Sequence, residues 1–86
     1  MIAWVKLSYN YFFGGHWEAT HRNFSTGFQM FTVVWVKKDG SEVRLGSAPV
    51  APGGHATLTG DLVLKEGETL EARVDGEAIV WADHID

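Results

Sequence analysis

The histidines are the first residues to test for chemistry, because imidazole binds metals and transfers protons near neutral pH. His16 and His21 are five positions apart, so on one strand they face opposite sides, unlike the ligands of a His-x-His pair. His55 follows a glycine pair, and His84 stands near the last residue. Because the chain has no cysteine and no histidine spacing typical of metal ligands, we expect neither a metal site nor a cofactor.

Acid–base and nucleophilic chemistry have equally little support in the sequence. Asp83, His84 and Asp86 cluster at the end of the sequence, where charged side chains are usually solvated. The serines lack the strand-to-helix setting of a nucleophile elbow, and the two glycine pairs lack the setting of a phosphate-binding loop. The sequence therefore predicts a protein that is not an enzyme.

The aromatic residues are the stronger candidates for function. Trp35 and Trp81 lie in apolar stretches and are predicted to fill the core. Trp4 falls on the polar face of its stretch and is predicted to lie on a contact surface. The four tryptophans, two tyrosines and five phenylalanines are many rings for 86 residues.

Several of these aromatic residues, including Phe12, lie in sequence around Gly14-Gly15. Rings beside a loop suit two different partners, a sugar ring on which they stack or a protein interface, where Trp and Tyr are enriched. The predicted interface or ligand-contact residues are Trp4, Tyr11, Phe13, His16, Trp17, Phe28 and Met30.

Alternation of apolar and polar residues predicts the elements that carry these side chains. In residues 70–74, for example, Leu70, Ala72 and Val74 share one face of a strand. Ten glycines and the lack of helical apolar spacing argue against helices. The predicted strands are residues 3–13, 16–24, 28–36, 42–45, 56–64, 70–74 and 78–85.

Three local patterns refine this prediction. The stretch 28–36 is apolar on both faces, so it is either a covered central strand or an assembly surface. Residues 37–40 predict a solvated hairpin tip, and residues 48–54 a loop, because proline cannot sit in the middle of a sheet. The predicted fold is one all-β domain over residues 1–86, a small antiparallel β-sandwich of jelly-roll or immunoglobulin-like type with about seven or eight strands.

Composition excludes several partners and suggests others. The net charge of −4 disfavours nucleic acid, and no apolar run is long enough to span a membrane. The absence of cysteine and of a signal-peptide pattern predicts folding in a cytoplasm. A domain this small has a small core, so association with other copies or other proteins is the expected source of added stability.

Three segments together resemble small β-sandwich structural proteins of tailed bacteriophages. These segments are an Asn-x-Ser-x-Gly turn at residues 23–27, a Pro-Gly loop at 51–54 and a Leu-x-Leu pattern leading to Gly-Glu-Thr-Leu at 62–70. The resemblance covers residues 22–82 and implies a capsid decoration protein or a tail or fibre component, made in the host cytoplasm and placed in the virion. Its implied partners are other copies and other virion proteins.

The sequence leads to two alternative functions. The first is a non-enzymatic structural virion protein that assembles through apolar and aromatic surfaces. The alternative is a carbohydrate-binding module whose aromatic platform lies near Tyr11 and Trp17, with a glycan as partner. Sugar sites normally place polar side chains beside the ring, and few such residues stand near Trp17 in sequence, which favours the first hypothesis.

Overall fold

The computed structural model describes residues 3–84, and most of this part of the chain lies in β-strands. A three-residue 3₁₀ turn, Tyr11–Phe13, follows the first strand. No helix in this range has the length and apolar character needed to cross a membrane. The seven strands are β1 (Ala3–Asn10), β2 (His16–Asn23), β3 (Gln29–Val36), β4 (Glu42–Val50), β5 (His55–Asp61), β6 (Thr69–Val74) and β7 (Glu77–Asp83).

The strands form two antiparallel sheets around one apolar core. One sheet has the order β1-β2-β5 and the other the order β4-β3-β6-β7. Apart from β4, which pairs with β3 instead of β5, this is the order of the seven-stranded immunoglobulin constant-type sandwich. The predicted all-β antiparallel sandwich is confirmed, and its strand order is immunoglobulin-like.

The core follows the alternation predicted from the sequence. Trp17 and Ala19 of β2 face Phe31 and Val33 of β3, and all four are at most 3% exposed. Full burial of a Val or Phe side chain such as Val33 or Phe31 contributes about 1.5–3 kcal/mol. The alternate residues of β6, Leu70, Ala72 and Val74, are buried as predicted.

The first predicted strand is too long, because β1 ends at Asn10. The Asn10 side chain accepts a hydrogen bond from the Phe12 N–H at 3.0 Å and starts the 3₁₀ turn. A side chain that satisfies nearby backbone groups in this way competes with the sheet ladder. Tyr11 and Phe13 therefore do not continue the buried face of β1 on which Tyr9 lies.

Two other strand boundaries differ from the prediction. Strand β4 continues through Pro49, which was predicted to lie in a loop. Because β4 is an edge strand, proline can occupy position 49 without removing a hydrogen bond from the sheet, although it has no backbone N–H. Strand β5 ends at Asp61, three residues before the predicted end. The predicted last strand reaches Ile85, which, like Asp86, lies outside the described residues.

Two buried polar side chains fix the loops at the two ends of the sandwich. At one end, the Tyr9 hydroxyl donates to the Leu62 carbonyl at 2.9 Å and accepts from the Leu64 N–H at 2.8 Å. At the other end, the Asn23 amide donates to the carbonyls of Gly27 and Val50, both at 2.8 Å. The connections between strands are thus tied to the core by specific hydrogen bonds.

The stretch that is apolar on both faces, β3, is a central strand of its sheet. Val34, on its outer face, is only 5% exposed. Arg73 of β6 bonds both carboxylate oxygens of Glu42 on β4 at 2.8 and 3.0 Å, so its side chain crosses β3. Arg73 also bonds Glu71. The outer face of β3 is therefore covered, in part, by an ion-paired arginine.

Candidate functional site

The most informative surface property is the exposure of large apolar side chains. Within residues 3–84, seven of the eleven aromatic residues are at least 41% exposed. Interface cores are enriched in aromatic residues and Met, and large exposed apolar patches are typical of contact sites. The exposed large apolar residues are Trp4, Tyr11, Phe12, Phe13, Phe24, Phe28, Met30, Val43, Val63 and Trp81.

The Tyr11–Phe13 turn presents three consecutive rings to solvent. Phe12 is 88% and Phe13 76% exposed, and the Tyr11 ring packs edge-on against Phe12 with centroids 5.6 Å apart. Behind the turn, the Gly15 carbonyl accepts from the Leu62 N–H at 2.9 Å. A Cβ at Gly15 would lie 2.1 Å from the Leu62 carbonyl oxygen, so only glycine fits. The backbone of this turn is therefore fixed while its rings are free.

The loop at residues 24–28 shows a similar arrangement at the opposite end of the strands. Phe24 is 64% and Phe28 71% exposed. The Asn23 side chain accepts from both the N–H and the hydroxyl of Ser25, at 2.8 and 2.6 Å. Met30, 45% exposed, follows this loop, and its N–H donates to the Asp75 carboxylate at 2.8 Å.

Two tryptophans lie on the outer faces of the two sheets. Trp4 is 45% exposed, as its position on the polar face predicted, and the Arg22 guanidinium lies 5.8 Å from its ring centroid. Trp81 was predicted to fill the core, but it is 65% exposed. The alternation in β7 explains the error, because the neighbouring Ala82 takes the inward position. Trp35, by contrast, packs against the core as predicted.

Trp17 cannot serve as a contact residue, because it is only 3% exposed. Its ring packs over Gly60 of β5, the residue with which it pairs across the ladder. A Cβ at Gly60 would lie 2.8 Å from the Trp17 ring. Gly60 thus makes room for a core ring. The alternation that placed Trp17 beside Ala19 was the signal of its burial.

One depression brings a predicted aromatic residue and a predicted histidine together. It has a volume of about 510 Å³ and opens beside the Tyr11–Phe13 turn. His16 Nδ1 lies 3.0 Å from Asp61 Oδ1, and both side chains are at least half exposed. The residues that line it are Ser8, Tyr9, Asn10, Phe13, His16 and Asp61. Sequence reasoning missed Asp61, since the pairing of β2 with β5 brings it there from 45 positions away.

Two other side chains with reactive groups, Ser8 and His21, take part in hydrogen bonds within the fold. The Ser8 hydroxyl donates to the Glu18 carbonyl at 3.5 Å rather than to His16. His21 is fully buried, and its Nε2 lies 2.8 Å from Gln29 Oε1. Among residues 3–84, no three His, Cys, Asp or Glu side chains are grouped to hold a metal ion.

The ion-paired cluster on the outer face of the four-stranded sheet is the strongest electrostatic feature. It borders a shallow groove of about 370 Å³. Hydrogen bonds from Arg73 hold the pKa of the Glu42 carboxyl below its usual value, and Glu42 and Glu71 raise the pKa of Arg73. Because these charges bond one another, the cluster links β4 and β6 across β3.

The described surfaces thus offer apolar contact area at two ends and one mixed aromatic–polar depression. Related proteins with the same surfaces would indicate which of these contacts serves the function. Comparison of the chain with protein-family models, with curated proteins and with solved structures found no match.

Proposed function

We propose that the protein is a non-enzymatic structural module that assembles with copies of itself and with other proteins through its exposed apolar surfaces. The observation that carries this proposal is the exposure of Phe12, Phe13, Phe24 and Phe28 on loops whose backbones are hydrogen-bonded in place. Rings in water gain free energy when a partner covers them. Rings on a fixed backbone also lose less conformational entropy on binding.

The position of these rings suits assembly with more than one neighbour. The Tyr11–Phe13 turn and the 24–28 loop lie at opposite ends of the strands. A subunit with different contact surfaces at its two ends forms heterologous contacts, which close into rings or continue as filaments. Many weak contacts repeated in such an assembly give high avidity.

The resemblance of residues 22–82 to structural proteins of tailed bacteriophages supports a narrower proposal. In it, the module is part of a virion, as a capsid decoration protein or a tail or fibre component. It folds in the host cytoplasm and completes its stability by docking onto other virion proteins. A small domain without cysteine gains most from such docking, because neither a large core nor a disulfide stabilises it alone.

Light scattering of the purified protein at tens of micromolar tests self-association. We expect a species larger than a monomer, and Phe12→Ser and Phe28→Ser should each weaken association by about 2–4 kcal/mol, the range of interface hot spots. Val43→Ser is the matched control, since Val43 is an exposed apolar residue on β4, at neither aromatic segment. A monomeric wild type that also fails to bind virus particles from the same source would refute the proposal.

A further inference from the structure

The depression beside Phe13 has the size and lining of a small-molecule site. Its volume of about 510 Å³ lies within the range of about 300–1,000 Å³ common to ligand pockets. One wall is the Phe13 ring, which is 76% exposed and has no ring partner among the described residues. The remaining wall carries mainly polar side chains.

The polar side chains of this depression retain hydrogen-bonding capacity. The contact between His16 Nδ1 and Asp61 Oδ1 leaves His16 Nε2 and the second carboxylate oxygen of Asp61 for a ligand. The amide oxygen of Asn10 accepts from the Phe12 N–H, which leaves the two amide donors of Asn10. The site therefore offers both donors and acceptors next to an apolar ring.

The backbone positions of these residues are set by the strand pairing before any ligand arrives. Asn10 pairs with His16, and His16 pairs with Asp61, so the three residues form one row across β1, β2 and β5. The same Asn10 that belongs to this row also begins the turn that carries Phe13. Sites built on paired strands hold their geometry better than sites on free loops.

We propose that this depression binds a neutral sugar ring, with Phe13 against the apolar C–H face and with Asp61, Asn10 and His16 bonding the hydroxyl groups. A pyranose presents the matching surface, because its ring face is apolar and its edge carries hydroxyls that both donate and accept. The Asp61 carboxylate and the net charge of −4 disfavour an acidic sugar. This function is additional to assembly. It shares Phe13 with the proposed assembly surface and otherwise uses the polar side chains of Asn10, His16 and Asp61.

Phe12 provides the control that separates the two functions. It neighbours Phe13, is more exposed, and does not line the depression. If the turn acts only in assembly, Phe12→Ala and Phe13→Ala should behave alike. If the depression binds a sugar, only Phe13→Ala should reduce sugar binding.

The experiment is isothermal titration of the protein with neutral oligosaccharides of glucose, mannose, galactose and N-acetylglucosamine at millimolar concentration. We expect at least one series to bind, and Phe13→Ala to weaken it by at least about tenfold, or 1.4 kcal/mol. Asp61→Asn, which keeps the shape of the side chain, should weaken it by a similar factor. Phe12→Ala should leave affinity within about twofold of wild type.

Two results would overturn the proposal. One is the absence of binding by every series, and the other is equal affinity of wild type and Phe13→Ala. Circular dichroism of each variant checks that it folds, which the exposure of Phe12, Phe13 and Asp61 leads us to expect. Light scattering on the same samples reports assembly separately, so a failed sugar site and a failed assembly interface give different results.

Discussion

Replacing Tyr9 with Phe, which removes one hydroxyl group, should destabilise the fold strongly. The Tyr9 hydroxyl is inserted between the Leu62 carbonyl and the Leu64 N–H, in the connection from β5 to β6. Phenylalanine keeps the ring and its packing but removes both hydrogen bonds. The variant therefore isolates what the hydroxyl contributes.

The magnitude follows from the burial of the two orphaned groups. Leu64 is 2% exposed, so its N–H cannot reach water, and leaving such a group unsatisfied costs about 1–3 kcal/mol. Leu62 is only partly buried, so its carbonyl can be rehydrated and its lost bond costs about 0.5–1.5 kcal/mol. The sum is about 1.5–4.5 kcal/mol. At about 0.05–0.15 kcal/mol per residue, this is a large part of the stability of an 86-residue domain.

Urea unfolding followed by tryptophan fluorescence measures this loss directly. With an m-value of about 1 kcal/mol/M for a small domain, the midpoint should fall by about 1.5 M or more. Tyr11→Phe makes the same chemical change on a ring that is 41% exposed, and it should alter stability by less than about 0.5 kcal/mol. Equal midpoints for the Tyr9 variant and wild type would show that these two bonds do not stabilise the connection.

Two further variants test the core and the ion-paired cluster by the same measurement. Gly60→Ala should lower the free energy of unfolding by about 1–3 kcal/mol, because the new methyl group meets the buried Trp17 ring. Gly27→Ala should change stability little, because no atom lies within 4 Å of the new Cβ. Similar urea midpoints for the two variants would contradict the packing of Trp17 over Gly60. Glu42→Gln tests acid sensitivity. Arg73 lowers the folded pKa of Glu42 below its ordinary 4.5, so the stabilisation is present above that value and is lost as pH falls through the folded pKa. The stability difference from wild type should shrink towards acid pH, and a difference that stays constant would count against the pairing.

The sequence predicted which side chains share a strand face where this depends only on neighbouring positions in the chain. Alternation grouped Leu70, Ala72 and Val74 of β6 on one face, which the structure buries, because side chains of a strand alternate between its two faces. It was less accurate at strand ends. Asn10 ends its strand because its side chain bonds the Phe12 N–H, a local competitor of the sheet ladder that alternation does not reveal. Whether Pro49 lies in an edge strand or a loop depends on the strand order, which pairs residues distant in sequence.

The residues of the candidate site were predicted only in part, because strand pairing brings together residues that are distant in sequence. Alternation groups residues by face but does not say which face meets the other sheet, so Trp17 was assigned to a contact surface and Trp81 to the core. His16 and Phe13 were identified from their position around a glycine pair. Asp61 was not, because its proximity arises from strand pairing across 45 residues.

The two ends of the sandwich share one construction that links stability to the proposed functions. At each end a polar side chain, at most 8% exposed, bonds backbone groups of a connection: Tyr9 at one end and Asn23 at the other. The turn that carries Phe12 is held separately, by the Asn10 side chain and by the bond from the Leu62 N–H to the Gly15 carbonyl, and Phe12 and Phe28 remain at the surface. Because the backbone under these rings is already ordered in the folded subunit, binding of a partner or a sugar loses less of its free energy to entropy.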